Sequence, residues 1–85
     1  MSSLIWSTTQ YETATYAVSN SLYLDHTTLR LTKTSGDAAT LAGTNVVGSV
    51  VEVPAATGER LVMLCSSTNA TLQDSLRKLL AVTEL

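Results

Sequence analysis

The sequence predicts an α+β fold, an antiparallel β-sheet meander with a C-terminal helix packed on one face, completed by a symmetric dimer. Three observations carry this expectation. Apolar and polar residues alternate in short runs through the first half, Val46–Val53 is a nearly continuous β-branched run, and the last sixteen residues space leucines as a helix does. Residues 1–85 form a single domain, with strands over about 4–65 and a helix over about 70–84. A lone helix is thin cover for a chain that is 45% hydrophobic and only 14% charged. A second copy is therefore expected to supply the missing cover.

Leu4-Ile5-Trp6 is a short apolar strand start. Tyr11–Val18 alternates with the two-residue period of a half-buried strand, and Ser19-Asn20 signals a turn. Ser21–Asp25 repeats the pattern with Leu22 and Leu24 on one face, and Thr28–Thr34 does so with Leu29 and Leu31 inward. Ser35-Gly36-Asp37 reads as a turn and Ala38–Asn45 as a loop or irregular edge. Val46–Val53 suits a central strand covered on both sides. Pro54 ends it, since proline cannot donate to a ladder. Ala55–Glu59 turns the chain, and Arg60–Cys65 returns antiparallel.

Ser66-Ser67-Thr68-Asn69 is a polar break in which Thr68 or Asn69 can cap the following helix. Leu72, Leu76, Leu79 and Leu80 then form one apolar stripe. Asp74 and Lys78 stand four apart in the favourable order, and Arg77 and Lys78 read as the solvated side.

The composition excludes several functions. A net charge of −2 gives no basic excess for a general nucleic-acid binder. Cys65 is the single cysteine, so no intrachain disulfide forms, and its apolar neighbours suggest an inert thiol. Met1-Ser2-Ser3 carries no basic residue, and no apolar run nears the roughly 20 residues that span a bilayer. A soluble protein made in a cytoplasm is expected. His26 adjoins Asp25, but neighbouring strand residues point to opposite faces. No spacing suits zinc, calcium or a phosphate loop, so neither catalysis nor a cofactor or metal is expected.

The outward residues of the alternating runs make a polar face: Tyr11, Thr13, Thr15, Tyr23, Arg30, Thr32 and Thr34, extended by Ser49 and Arg60. Tyrosine stacks unpaired bases, threonine hydroxyls bond base edges, and arginine meets phosphate, which together suit single-stranded RNA. Lys33 reaches that face only through a bulge or strand end. Sheet propensity alone accounts for the same threonines and tyrosines.

Leu29-Arg30-Leu31-Thr32-Lys33-Thr34, then Val50-Val51-Glu52-Val53-Pro54, then Arg60–Cys65 running through Ser66-Ser67-Thr68-Asn69 into a leucine-rich helix, resemble the coat proteins of single-stranded RNA bacteriophages. The resemblance covers about two thirds of the chain and rests on short strings. It implies a homodimer whose last strands pair edge to edge, with Arg60, Val62 and Leu64 along the two-fold axis. It further implies that Leu72, Leu76, Leu79 and Leu80 lie on the partner's sheet. Dimers would close an icosahedral shell around genomic RNA in a virion assembled in the bacterial cytoplasm. The open sheet face would bind an RNA hairpin, with Tyr23, Arg30, Thr32, Thr34, Ser49 and Arg60 as candidates. Only Ala55–Glu59 stands where such proteins carry an extra strand and loop, and their second C-terminal helix has no counterpart before Leu85. A small homodimeric β-sheet regulator that binds nucleic acid is the alternative from another class.

Overall fold

The computed structural model describes residues 3–25, 27–34 and 46–85; His26 and the expected turn and loop over 35–45 lie outside them. The chain forms β1 (Ile5–Thr8), β2 (Ser21–Asp25), β3 (Arg30–Thr32), β4 (Gly48–Glu52), β5 (Leu61–Cys65), α1 (Ala70–Leu79) and β6 (Thr83–Glu84). The six strands make one sheet in the order β3-β2-β4-β5-β1-β6, with antiparallel neighbours throughout. This is not the expected meander, because β1 inserts between β5 and β6 and β4 pairs with β2 instead of β3.

The core is one-sided. Trp6, Leu22, Leu24, Leu31, Val50, Leu61 and Met63 are buried from the sheet, and Leu76 and Leu80 close over them from the helix. Alternation puts Trp6 opposite Met63 and Met63 opposite Val50, so these side chains share the helix-covered face. Leu72 and Leu79 pack partly buried against the same cluster. The Thr8 hydroxyl donates to the Leu80 carbonyl at 2.5 Å, satisfying a helix-end acceptor from β1.

The stretch expected as a strand at Tyr11–Val18 does not form one. Tyr11 and Tyr16 are both buried, at 6% and 8% exposure, yet stand five apart, so a straight strand would turn one ring to solvent. The chain bends, and the rings meet edge to face with centroids 5.6 Å apart. Only an isolated parallel bridge from Tyr11 to Leu31 survives, with Leu31 N–H donating to Gln10 and Glu12 N–H donating to Leu31.

The third alternating run also shrinks. Leu29 adopts φ 58° and is 44% exposed in the turn joining β2 to β3, so it does not face inward as expected. Asp25 organises that turn, its carboxylate accepting from Thr27 and Thr28 N–H at 2.7 and 3.1 Å. The valine run yields a strand covered on one side only, for the register shifts between Val50 and Glu52 and leaves Val51 42% exposed.

Gly48 lies opposite Cys65, where an added Cβ would run into the Leu64 carbonyl and come within 2.6 Å of the Met63 methyl. Gly48→Ala therefore forces β4 away from β5. A loss of about 1–3 kcal/mol is expected, read as a lower urea midpoint with unchanged m-value.

The helix starts where expected, Asn69 Oδ1 accepting from Leu72 N–H at 3.0 Å. It ends earlier. Ala81 takes φ 47°, its N–H donates to Lys78, and Val82 N–H donates to Arg77, the paired bonds of a Schellman stop. An alanine there gives no stop signal, which is why the stripe suggested helix to residue 84. The freed residues add β6 to β1. Arg77 is not a solvated residue: its guanidinium sits 5.3 Å above the Trp6 ring, with Asp74 and Glu84 carboxylates at 2.7 and 2.8 Å. Asp74 thus pairs with Arg77 and not with Lys78.

Candidate nucleic-acid interface on the helix-free sheet face

Alternation sends Ser21 and Tyr23 to the face opposite the buried Leu22 and Leu24. Cross-strand register then builds two rows. One runs Ser21–Ser49–Leu64–Ile5, and Leu85 N–H extends it by donating to Ile5 at 2.8 Å. The other runs Glu52–Val62–Ser7–Thr83. Beyond the first row, Tyr23 stands beside Thr32, and Asp25 beside Arg30.

The face is therefore divided. Its β2–β3 end carries half-buried Tyr23 and exposed Arg30, while half-buried Ser49 lies on β4 opposite Ser21, toward the other end of β2 from the Asp25–Arg30 pair. Its β5–β1–β6 end is apolar, with Leu64 40% and Leu85 62% exposed around Ile5 and Val62. This arrangement can stack a planar ring on Tyr23 while Arg30 meets an anion, although Asp25 beside Arg30 offsets part of that charge.

The sequence candidates fare differently. Tyr23, Arg30 and Ser49 share the helix-free face. Thr32 shares it too but is 3% exposed, its hydroxyl accepting from Thr34 N–H at 3.1 Å, so it offers no ligand contact. Thr34 is exposed just past β3. The Arg60 residue is exposed, yet its guanidinium is committed: Nε donates to Ser7 Oγ at 2.7 Å, and Nη2 to Ser7 O at 2.8 Å and Thr83 Oγ1 at 3.1 Å. It clamps β5 to β1 and β6. Tyr11 is buried, its phenol donating to Glu59 O at 2.6 Å, and so leaves the face. Thr13 and Thr15 line a separate cleft beside Tyr16, and Lys33 Nζ donates to Thr15 O.

The expected dimer contacts need correction. β5 is bonded to β4 on one edge and β1 on the other, so it has no edge to offer a partner strand. Leu76 and Leu80 are wholly buried in their own protomer, against their own sheet. Val62 and Leu64 remain accessible, but through the sheet face.

Burial pushes the Tyr16 phenol up to about 12, with the Glu12 carboxylate and Tyr11 adding to the rise. Its hydroxyl donates to Glu12 O at 2.5 Å. The unfolded chain ionises this phenol near pH 10 while the folded chain holds its proton, so stability is intact below pH 10 and falls as pH rises toward 12. A loss of about 2 kcal/mol is expected across that window, and Tyr16→Phe should flatten it in alkaline urea titrations. Burial likewise raises the Cys65 thiol, against smaller opposing effects of Ser67 and Arg77, which keeps it protonated and inert.

Among the described residues no group of three or more His, Cys, Asp or Glu side chains is placed to hold a metal, and no helix is long and apolar enough to cross a membrane. No family model matches the chain, and neither a characterised protein nor a solved structure matches it.

Proposed function

We propose that this chain is a structural coat protein of the single-stranded RNA bacteriophage type, assembling with itself into an icosahedral shell around genomic RNA. The observation that carries the reading is the one-sided sheet: α1 covers one face, and Tyr23, Arg30 and Ser49 lie spread over three strands on the other. A shell protein needs such a face toward its genome, with stacking and phosphate-binding groups and little base-specific machinery. The family-like strings at Leu29–Thr34 and Val50–Pro54 add to it. Self-association would use surfaces other than the leucine stripe, which each protomer closes for itself.

Electron microscopy of the recombinant protein tests this directly. Uniform shells protecting RNA from nuclease are the expected result; dispersed protein free of RNA at every concentration would refute it. Arg30→Ala should leave particles intact but bind RNA several-fold more weakly, with a salt slope lower by about 1. An unchanged salt slope would remove Arg30 from the interface.

The Tyr23 and Arg30 placement on the helix-free face equally suits a second reading, a small homodimeric β-sheet regulator that binds nucleic acid. That reading expects particle-free protein that still binds nucleic acid through Tyr23 and Arg30.

A further inference from the structure

We propose that two copies of the chain pair face to face through the β4–β5–β1–β6 end of the helix-free sheet face. The pairing serves either reading of function and depends on neither.

A sheet face left to water ordinarily carries polar residues, as the end with Ser21, Tyr23 and Arg30 does. The other end departs from this. Leu64 stands opposite Ile5 across the β5–β1 ladder, and Leu85 follows beside Ile5, with Leu64 40% and Leu85 62% exposed. Val62 lies half-buried on the neighbouring row. Apolar groups on adjoining strands make one patch, and a patch of this kind marks a surface that meets another.

Its charged margins identify the partner. The second row ends at Glu52 on β4 and at Thr83 on β6. The Arg60 guanidinium is fixed at that far end by the hydroxyls of Ser7 and Thr83. Among the described residues the Glu52 carboxylate meets no donor, and the Arg60 guanidinium meets no carboxylate. The patch thus has an unpaired acid on one flank, an unpaired cation on the other, and aliphatic carbon between them.

That pattern is complementary to itself. A two-fold axis parallel to the strands, between β5 and β1, exchanges β5 with β1 and β4 with β6. It sets Leu64 over the partner's Ile5, and Glu52 over the partner's Thr83, where the partner's Arg60 is held. Both ion pairs form at once and close the apolar centre between them. Facing sheets pack about 10 Å apart, near enough for their side chains to interdigitate. A nucleic acid would meet leucines and the Glu52 carboxylate there, which repel or ignore phosphate. A different protein would leave the symmetry of the two margins unexplained. β2 and β3 lie outside the four exchanged strands, so Tyr23 and Arg30 are not part of the contact. Four short strands a side bury less than about 1,200 Å² in total, which fits a dissociation constant in the micromolar range.

Sedimentation equilibrium of the natural chain, Glu52→Arg and Leu64→Lys tests the pairing. Both positions are exposed, so both variants keep a cooperative thermal transition. The natural chain is expected to dimerise, and each variant to associate at least about tenfold more weakly. Added salt should weaken the natural dimer and strengthen that of Glu52→Arg, since it screens attraction in one and repulsion in the other. Either variant associating as tightly as the natural chain would place the interface elsewhere and overturn the pairing. A natural chain that stays monomeric to about 1 mM would overturn it too, and flotation of that monomer with neutral phosphatidylcholine vesicles would give the patch to a lipid surface instead. A dimer of the expected behaviour that binds no nucleic acid would uphold the pairing and refute both functional readings. Nucleic-acid binding that depends on Arg30, by a chain that never dimerises, would refute the pairing and leave Arg30 in the interface.

Discussion

Replacing Leu76 with aspartate is expected to unfold the protomer. Leu76 has no exposed surface and is the one fully buried residue of α1, in the same core cluster as Trp6, Leu61 and Met63. Truncating such a leucine costs about 2–5 kcal/mol through lost transfer energy and the cavity left behind. A carboxylate adds the cost of burying a charge with no partner, several kcal/mol more even after it takes up a proton. A domain of 85 residues has roughly 4–13 kcal/mol in all, from about 0.05–0.15 kcal/mol per residue. The variant therefore loses its cooperative thermal transition and its amide dispersion in NMR spectra. If the leucine stripe instead faced a partner, Leu76→Asp would be a well-folded monomer, and that outcome would overturn the core described above. Leu79→Asp, at a partly buried position, should be destabilised but folded at low temperature.

Trp6→Ala should be nearly as damaging, at about 3–5 kcal/mol. The indole is wholly buried, and its Nε1–H donates to Ser3 O at 2.9 Å, fixing the chain before β1. Its ring is also the platform for Arg77, which in turn meets Glu84 on β6. Removing the ring leaves a half-buried guanidinium over a void and loosens β6. Chemical denaturation should show a large fall in midpoint. Hydrogen exchange should show Thr83–Leu85 losing protection before the β4–β5 pair does. Retention of the natural midpoint would contradict the central place assigned to Trp6.

Much of the local structure was legible because it depends on local chemistry. Ser21–Asp25 forms the strand its alternation foretold, and Leu61–Cys65 forms as its apolar run required. Asn69 caps α1 at the polar break, as short polar side chains do when a leucine stripe follows. These elements rest on periodicity and capping, which act over a few residues.

The structure departs from the local pattern where a distant contact overrides it. Thr13–Tyr16 alternates as a strand does within Tyr11–Val18, yet two phenol rings of opposite parity both found the core, and the backbone bent to allow it. Arg60 looked like a free cation on an open face, but β1 and β6 supply three acceptors that capture it. Thr32 looked outward and is buried. For Tyr23, Arg30 and Ser49 the face was predictable from strand parity, while their placement in one sheet depended on β4 pairing with β2.

By itself the sequence determined an α+β domain, the antiparallel sense of its strands, the start of α1 and the apolar stripe on it. Only the tertiary structure decided what that stripe covers. Strand order brings β1 beside β5 and so assembles a compact apolar platform under α1, letting one helix close a core that its area alone seemed too small to seal. Periodicity fixes which side of an element is apolar; the pairing of distant strands fixes what that side meets.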